Sequence, residues 1–432
     1  MFMKVKIIII MAFLTNWVSL ARALTLDDAL KAAIKNSPSI NMADEGMVSK
    51  QYQKYSARIS RLGEATAIGN STHYNYERTL TPMVPPITKP FPLSDDDITN
   101  IGISYTLPIF TGFKLSKNIS IASLNYEIAK AQSSLTKRQI EFNVYSIFLK
   151  GLSLKEQLKA KLEQEKALAE LHKNVELGVK VGRYAAMDLK KVDYQYEMVK
   201  AQRQSIENNI TVLKTALNQL TGMESEDWDF EPVDFKEKDF PSISELNLSE
   251  LKKIALINRE DVLITSKKKE IASLNYSKSK YSYFPDIAAN YTYMRSIGGG
   301  GSVPLWNYGL VLQWPIFDFG KRAMDMVSQK HEYKIAKESE IAQKLAVNHD
   351  VIEAYTNLQN QLAVYNAATK ALSYAKDVKE SENIKYEQNA GSMYDLLQSI
   401  SQYYDALSQE RGSYYSVFTS SKYLEFVVGG KL

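Results

Sequence analysis

Apolar and polar residues change their spacing several times along this chain, and the changes occur twice. Ile101, Ile103, Tyr105, Leu107 and Ile109 alternate with Gly102, Ser104 and Thr106, and the alternation returns at Tyr308, Leu310, Leu312, Trp314 and Ile316. A period of two over nine residues predicts a strand with one greasy face. The stretches "ATAIGNSTHYNYERT" and "DIAANYTYMRS" alternate more weakly, with Tyr74, Tyr76, Tyr291 and Tyr293, and complete two hairpins at about 64–110 and 285–317. After the first hairpin the period becomes seven. No proline occurs from Lys114 to Leu177, and Ile121, Ile128, Leu135, Phe142 and Leu149 mark one seam of a long helix. At about 1.5 Å per residue, such a helix is a rod on the order of 90 Å. Helices are expected over 26–62, 112–178 and 185–221, and again over 248–283, 321–388 and 393–428, with breaks at "LGVKVGRYAA" and "YEQNAGSMYD".

The recurrence is a tandem duplication. Shifted by 207, Gly102 falls on Gly309, Pro108 on Pro315, Phe110 on Phe317, Lys114 on Lys321, Asp188 on Asp395 and Gly222 on Gly429. Shifted by 222, "LTLDDALKAAIKNSPSI" from Leu24 falls on "LNLSELKKIALINREDV" from Leu246. The difference of 15 residues belongs to the loops, Pro-rich "TLTPMVPPITKPFPLSDDD" (80–98 in the main) in one half and "SIGGGGSVP" in the other. Repeat 1 spans 24–222 and repeat 2 spans 246–432, joined by an acidic linker at 223–245.

The first residues place Lys4 and Lys6 before an apolar run from Ile7 to Leu14 and end in small residues at Ala21 and Ala23. This is the pattern of a secretory signal peptide, 1–23, too short for a membrane-spanning helix. The chain has no cysteine, so neither disulfides nor an amino-terminal lipid anchor on cysteine is expected. Without Lys4, Lys6 and Arg22, 50 basic residues face 49 acidic ones, a balance that does not suggest nucleic acid.

Aromatic residues near the strand ends, and strands of about nine residues in an exported protein, favour hairpins that cross a bilayer over hairpins packed on a soluble core. Four strands do not close a barrel, and open edges do not persist in lipid. Two, three or four copies would supply about eight, twelve or sixteen strands, and parity does not choose among them. His73, His172, His331 and His349 show no metal-ligand spacing, and neither a phosphate loop nor a nucleophile elbow occurs. No enzyme, metal or cofactor is therefore expected. A helical surface tether or adhesin would explain the rods but not paired hairpins at equal places in two repeats.

The leader-proximal "LTLDDALKAAIKNSPSI", the duplication, the two "PIF" passages, and "MDLKKVDYQYE" and "YDLLQSISQYYDAL" after the helix breaks resemble the TolC-like outer-membrane efflux proteins. That resemblance implies a mostly α protomer with a membrane β-barrel portion. It implies a homotrimer whose twelve-stranded barrel, seated in outer-membrane lipid of a Gram-negative bacterium, continues as a long periplasmic α-helical barrel. It further implies an efflux or type I secretion duct working with a periplasmic adaptor and an inner-membrane RND, ABC or MFS transporter.

The resemblance also assigns roles to residues. Asp188 and Asp395 match aspartates that narrow the periplasmic mouth, and Tyr386 matches a tyrosine of the same latch. The family's gate arginine falls on Gly391 and a further acid on Gln398, so Arg183, in the other turn, is the candidate substitute. Taken as a residue type, Asp188 is equally an acid stabilised at a helix start. Val181 and Gly182 match a Val-Gly pair of an adaptor-docking turn, the corresponding Asn389-Ala390 of repeat 2 departs from it, and Gly391 follows in the same turn. Pro108, Phe110 and Gly112, with Pro315, Phe317 and Gly320, are expected to mark the passages where a strand ends and a rod begins, since proline offers no N–H to a ladder.

Overall fold

The computed structural model describes residues 22–83, 86, 89–224, 228–233, 240 and 246–430. Most of the expected signal peptide and of the 223–245 linker lies outside these residues. In chain order the elements are β1 (Arg22–Leu24), α1 (Leu26–Asn36), α2 (Pro38–Ile59), a short 3-10 turn (Ser60–Leu62), β2 (Glu64–Thr79), β3 (Ser94–Thr111), α3 (Lys114–Lys180), α4 (Ala186–Thr221), β4 (Trp228–Phe230), α5 (Leu248–Asn258), α6 (Glu260–Tyr281), β5 (Asp286–Gly298), β6 (Gly301–Gln313), α7 (Lys321–Glu387) and α8 (Met393–Val428).

The duplication is carried into the backbone. Helices α3 and α7 each have 67 residues, α4 and α8 each 36, α2 and α6 each 22, and α1 and α5 each 11. Equivalent ends are made by equivalent devices. Thr25 caps α1 by accepting the Asp28 N–H at 3.0 Å, and Asn247 caps α5 by accepting the Ser249 N–H at 3.0 Å. Gly222 and Gly429 both follow their helices with positive φ, 66° and 87°, packed against Asn36 and Asn258 respectively.

Both hairpins keep one register. Glu64↔Thr106, Ile68↔Gly102 and Thr72↔Ile98 of β2–β3 fall on Asp286↔Gln313, Asn290↔Gly309 and Met294↔Leu305 of β5–β6 under the two shifts. The second hairpin turns at Gly298–Gly301, whereas the first carries the Pro-rich insertion. That insertion is shorter than its composition suggests. Ser94 to Ile98 belong to β3, because Asp95 and Asp97 find cross-strand partners in Arg78 and His73.

The four-stranded sheet has the order β2-β3-β5-β6, so β2 and β6 are edges. Its two faces differ in most positions, although Arg295 shares the first and Ile68, Met294, Leu305 and Val311 share the second. One face carries Tyr105, Ile103 and Ile101, then Tyr291 and Tyr293, then Leu310, Tyr308 and Trp306, all exposed. The other carries Thr66, Thr106, Ser104, Asn100, Asn290, Thr292, Ser296 and Asn307. Here Ser104 and Thr292 hydroxyls lie 3.2 Å apart, and Asn290 donates to Ser104 and Thr106 at 3.3 and 3.1 Å. Alternation of side chains along each strand produces this division. Among the described residues no helix is long and apolar enough to cross a membrane.

The chain divides into two compact units. One holds the sheet, α2, α5, α6 and the first parts of α3 and α7, from Ser39 to Arg138 and from Asn247 to Glu353. Its helices are tied by ion pairs, among them Arg138–Glu260 (2.9 Å), Lys269–Glu340 (2.7 Å) and Lys267–Glu127 (2.9 Å). The expected seam residues Ile121, Ile128 and Leu135 are half-buried there, while Leu124 and Ala131 are fully buried.

The other unit contains Gln139–Leu246 and Ala354–Phe426 with the segment up to Pro38. Strands β1 and β4 pair in parallel, Arg22 opposite Trp228 and Leu24 opposite Phe230. Arg22 and Ala23, assigned to the removed leader by the sequence pattern, thus take part in a strand. Phe230 lies edge-on to Phe148 at 5.3 Å, and a Cβ at Gly151 would stand 2.3 Å from its ring, which explains a glycine inside a long helix.

Four tyrosines of this unit, Tyr145, Tyr386, Tyr404 and Tyr415, are held above the ordinary phenol value, first by burial; Tyr145 is pushed up to about 12 by burial and by Glu425. Unfolded phenols ionise near 10.0, so the stability held below that value is lost as pH rises through it toward the folded values. The melting temperature is expected to fall steadily above about pH 10, with these phenols ionising late in an absorbance titration at alkaline pH.

Candidate functional site

Two turns, α3–α4 and α7–α8, bring together the residues that the family resemblance singles out, all within one unit. The turns share one geometry. Gly182 and Asn389 adopt positive φ, 77° and 57°, and donate N–H to Val179 and Tyr386 carbonyls at 3.1 and 3.0 Å. Arg183 and Ala390 then donate N–H to Gly178 and Lys385 carbonyls at 2.7 and 2.8 Å. The structural counterpart of Val181-Gly182 is therefore Gln388-Asn389, as the shift of 207 requires, one residue earlier than the pair Asn389-Ala390 that the resemblance sets against it. Asparagine tolerates the left-handed conformation, so the departure from glycine costs little.

Around these backbones the two turns differ. The Arg183 guanidinium donates to the Glu387 carbonyl at 3.1 Å and lies 5.2 Å over the Tyr184 ring. Tyr184 in turn stacks on Tyr386, 5.2 Å between centroids at 21°. Thus Arg183, at the end of one hairpin, caps the last carbonyls of α7, where a cation is favoured. Gly178 makes this possible, since a Cβ there would lie 2.1 Å from the Tyr184 ring. Neither Gly178 nor Tyr184 was legible as a site residue. The exchange of Gly178 and Tyr184 for Lys385 and Gly391 at the equivalent places is the only trace in the sequence.

Tyr386 is 7% exposed, and its hydroxyl has no hydrogen-bond partner among the described residues. Burial raises its phenol, as do Tyr184 and Asp188, against the opposing influence of Arg183. The ring belongs to an apolar cluster with Val175, Val192, Met393, Leu396 and Ile400.

The two aspartates sit at helix starts. Asp188 donates its N–H to the Ala185 carbonyl at 3.0 Å and its carboxylate meets Lys191 Nζ at 3.0 Å. Asp395 accepts the Ser392 hydroxyl at 2.6 Å while Ser392 Oγ accepts the Asp395 N–H at 3.1 Å, a reciprocal cap. Beside them, Met187, Tyr194, Tyr394 and Leu397 line a cleft of about 390 Å³ together with Lys190 and Lys191. Val181, Met187, Tyr194 and Tyr394 are all exposed.

The strand-to-helix passages correct the sequence reading of the first proline. Pro108 stands within β3, opposite Ala288, and the ladder bulges between Pro108 and Phe110. A bulge absorbs the missing N–H and lets the strand continue to Thr111. Pro315 does follow its strand, which ends at Gln313. The glycines are not equivalent either. Each passage has two consecutive residues of positive φ, Gly112-Phe113 (55° and 60°) and Phe319-Gly320 (54° and 88°), with the glycine in opposite places. Phe110 is half-buried against Phe113 and Phe284, at 5.5 and 6.5 Å, whereas Phe317 is 75% exposed and touches Phe319.

His73, Asp96 and Asp97 bring ligand atoms within 4.8 Å of one another at the far end of the first hairpin, a grouping created by strand pairing and invisible in linear spacing; all three are exposed.

Comparison with known proteins follows the same lines. Residues 251–430 match the family model described as outer membrane efflux protein. No curated protein is matched. Among solved structures, the outer membrane protein VceC of Vibrio cholerae superposes with a TM-score of 0.78 at 15% identity, over 94% of this chain and 96% of that one. The CmeC outer membrane channel of Campylobacter jejuni gives 0.80 at 16% identity, over 94% and 85%. The open state of the MtrE outer membrane channel of Neisseria gonorrhoeae gives 0.74 at 14% identity, over 94% and 89%. The likeness is one of fold along nearly the whole chain.

Proposed function

We infer, from the match of residues 251–430 to the outer membrane efflux protein family model and from the two-faced sheet, that copies of this chain close a β-barrel in the outer membrane and serve as the exit duct of an efflux system. The observation that carries this reading is the sheet. It is apolar and aromatic on one face, hydroxyl- and amide-lined on the other, and unpaired at both edges. Such a sheet fits a wall with lipid on one side and water on the other, and four strands fall short of the roughly eight that one barrel needs. Three copies supply twelve strands, and their long helices continue the passage into the periplasm. Conduction is passive; a periplasmic adaptor and an inner-membrane RND, ABC or MFS transporter supply cargo and energy.

The two helix turns form the periplasmic mouth in this reading. Asp188 and Asp395, repeated around the axis, favour cations at the narrowest point. Arg183 and Tyr386 hold the two turns of one copy together, through the Glu387 carbonyl and the Tyr184 stack. Val181, Gly182, Asn389, Ala390 and Gly391, with the apolar cleft of Met187 and Tyr394, receive the adaptor. Strand-to-helix passages at Pro108, Phe110, Gly112, Pro315, Phe317 and Gly320 turn the chain from membrane sheet to tunnel.

The test is to extract the protein in detergent, determine its oligomeric state and reconstitute it in planar bilayers. Homotrimers that open discrete pores are expected, and a protein that stays monomeric and silent ends the reading.

A further inference from the structure

Ion pairs tie the helices of the sheet-bearing unit together, but they stop short of the sheet. Lys137–Asp44, Arg138–Glu260, Lys267–Glu127 and Lys269–Glu340 bind helix to helix. Nearer the strands the acids run out. No acid lies between Glu45 and Glu64, where Lys50, Lys54, Arg58 and Arg61 stand. None lies between Asp97 and Glu127, with Lys114 and Lys117, or between Glu270 and Asp286, with Lys278 and Lys280. Of these cations only Lys114 meets a carboxylate, that of Asp286, among the described residues. A basic zone without its own acids attracts anions from outside.

The zone has a centre on α3. Arg61 Nη2 donates to the Ser116 hydroxyl at 3.5 Å, Lys278 Nζ donates to Asn118 Oδ1 at 3.2 Å, and Lys117 stands between those two partners in sequence. Three consecutive helix residues sweep about 200°, so Arg61 from α2 and Lys278 from α6 flank the face that carries Lys117. Phe113, one turn earlier, shares that face.

This face continues the apolar side of the sheet. Lys117 Nζ lies 5.9 Å over the Tyr281 ring, Tyr281 lies 5.4 Å from Phe113, and Phe113 lies 5.5 Å from Phe110. Phe110 stands opposite Ile287, on the same side of the ladder as Tyr291 and Tyr293. Along this surface, aliphatic strand residues give way to aromatic rings and then, about one helical turn on, to cations. Bilayers present acyl chains, interface and phosphates in that order, and Tyr, Lys and Arg side chains suit the last two zones.

We propose that Arg61, Lys117 and Lys278 hold the phosphate of an anionic phospholipid in the periplasmic leaflet, with Arg58 and Lys280 extending the basic collar beside it. Such a site rests on the outer-membrane reading of the sheet and adds to it a choice of lipid. A lipid fits better than a soluble anion, because Phe113 and Phe284 beside the cations are 52% and 44% exposed and an acyl chain of the same molecule would cover them. Ser116 and Asn118 are neutral partners, so the cationic heads keep their charge and spare donors for phosphate. Helix α7 lacks the feature. Its Lys321 and Arg322 are matched by Asp325 and Asp318 at 2.7 and 2.6 Å, which confines the site to the junction of α2, α3 and α6.

The test titrates full-length protein in detergent with phosphatidylglycerol or phosphatidylcholine and reads the unfolding temperature. Phosphatidylglycerol is expected to raise it at the lower concentration, and about 1 M salt, which screens charges beyond about 3 Å, should remove the difference. Arg61→Gln, Lys117→Gln and Lys278→Gln together should raise the phosphatidylglycerol requirement on the order of a hundredfold, and Lys117→Gln alone roughly fivefold. Lys117→Arg should retain the response. So should the same loss of charge at Lys173→Gln, Lys370→Gln and Lys376→Gln, which are exposed in the other unit. An equal response to both lipids, an equal response to inorganic phosphate, or an unchanged response in the Gln variants overturns the lipid site. Those results leave pore formation in planar bilayers intact, whereas protein that stays monomeric and silent overturns the membrane reading beneath it.

Discussion

Valine at position 102 is expected to abolish the four-stranded sheet. The added Cβ would enter the β5 backbone at Tyr293 and Met294, atoms that cannot swing away as a side-chain tip can. Overpacking a well-fitted site typically costs 1–3 kcal/mol. A clash with backbone at the centre of a four-stranded sheet belongs at or above about 3 kcal/mol, since the β3–β5 ladder must part. The measurable result is loss of the protein from the outer-membrane fraction and loss of pores in bilayers. Gly309→Val is the informative partner, because the same substitution meets empty space within one chain. It should leave a folded monomer with undiminished helix content but prevent assembly. Wild-type amounts of conducting oligomer from Gly102→Val would refute the reading of the sheet as drawn.

Alanine at Arg183 is expected to give the largest change in gating. It removes the hydrogen bond to the Glu387 carbonyl and the cation over Tyr184, while leaving both helices and their apolar core in place. A hydrogen bond from a charged group is worth about 1.5–3 kcal/mol, and exposure of this one places it at the lower end. About 1.4 kcal/mol per copy is a tenfold shift toward the open mouth. If these turns form the mouth, as proposed, resting conductance in planar bilayers should rise accordingly. Tyr184→Ala should act in the same direction by unstacking Tyr386, whereas Arg183→Lys should recover part of the closure. Asp395→Ala, by contrast, should chiefly weaken the start of α8, since its carboxylate is engaged with Ser392. Unchanged conductance in both Arg183→Ala and Tyr184→Ala would remove the latch from the mechanism.

Much of the architecture was open to reading because it is periodic. A strand with alternating faces and a helix with a seven-residue repeat both write their geometry at short range, and duplication wrote it twice. What was missed is relational. Pro108 looked like a strand terminator, because proline lacks an N–H; only the bulge beside it, opposite β5, lets the strand run on. Tyr184 carries no mark in the sequence, and its role comes from packing on Gly178 and stacking on Tyr386.

The division follows the range of the forces. From the sequence alone came the repeat, the alternation of the strands and the two breaks between long helices, since each depends on spacing within a few residues; the breaks that divide 26–62 at Ser37 and 248–283 at Arg259 did not. Only the tertiary structure decided that Arg183 caps a helix 204 residues away and that Gly309 has room where Gly102 has none. Those facts depend on which backbones approach within a few ångströms, and no periodicity along one strand or helix encodes the position of its neighbour.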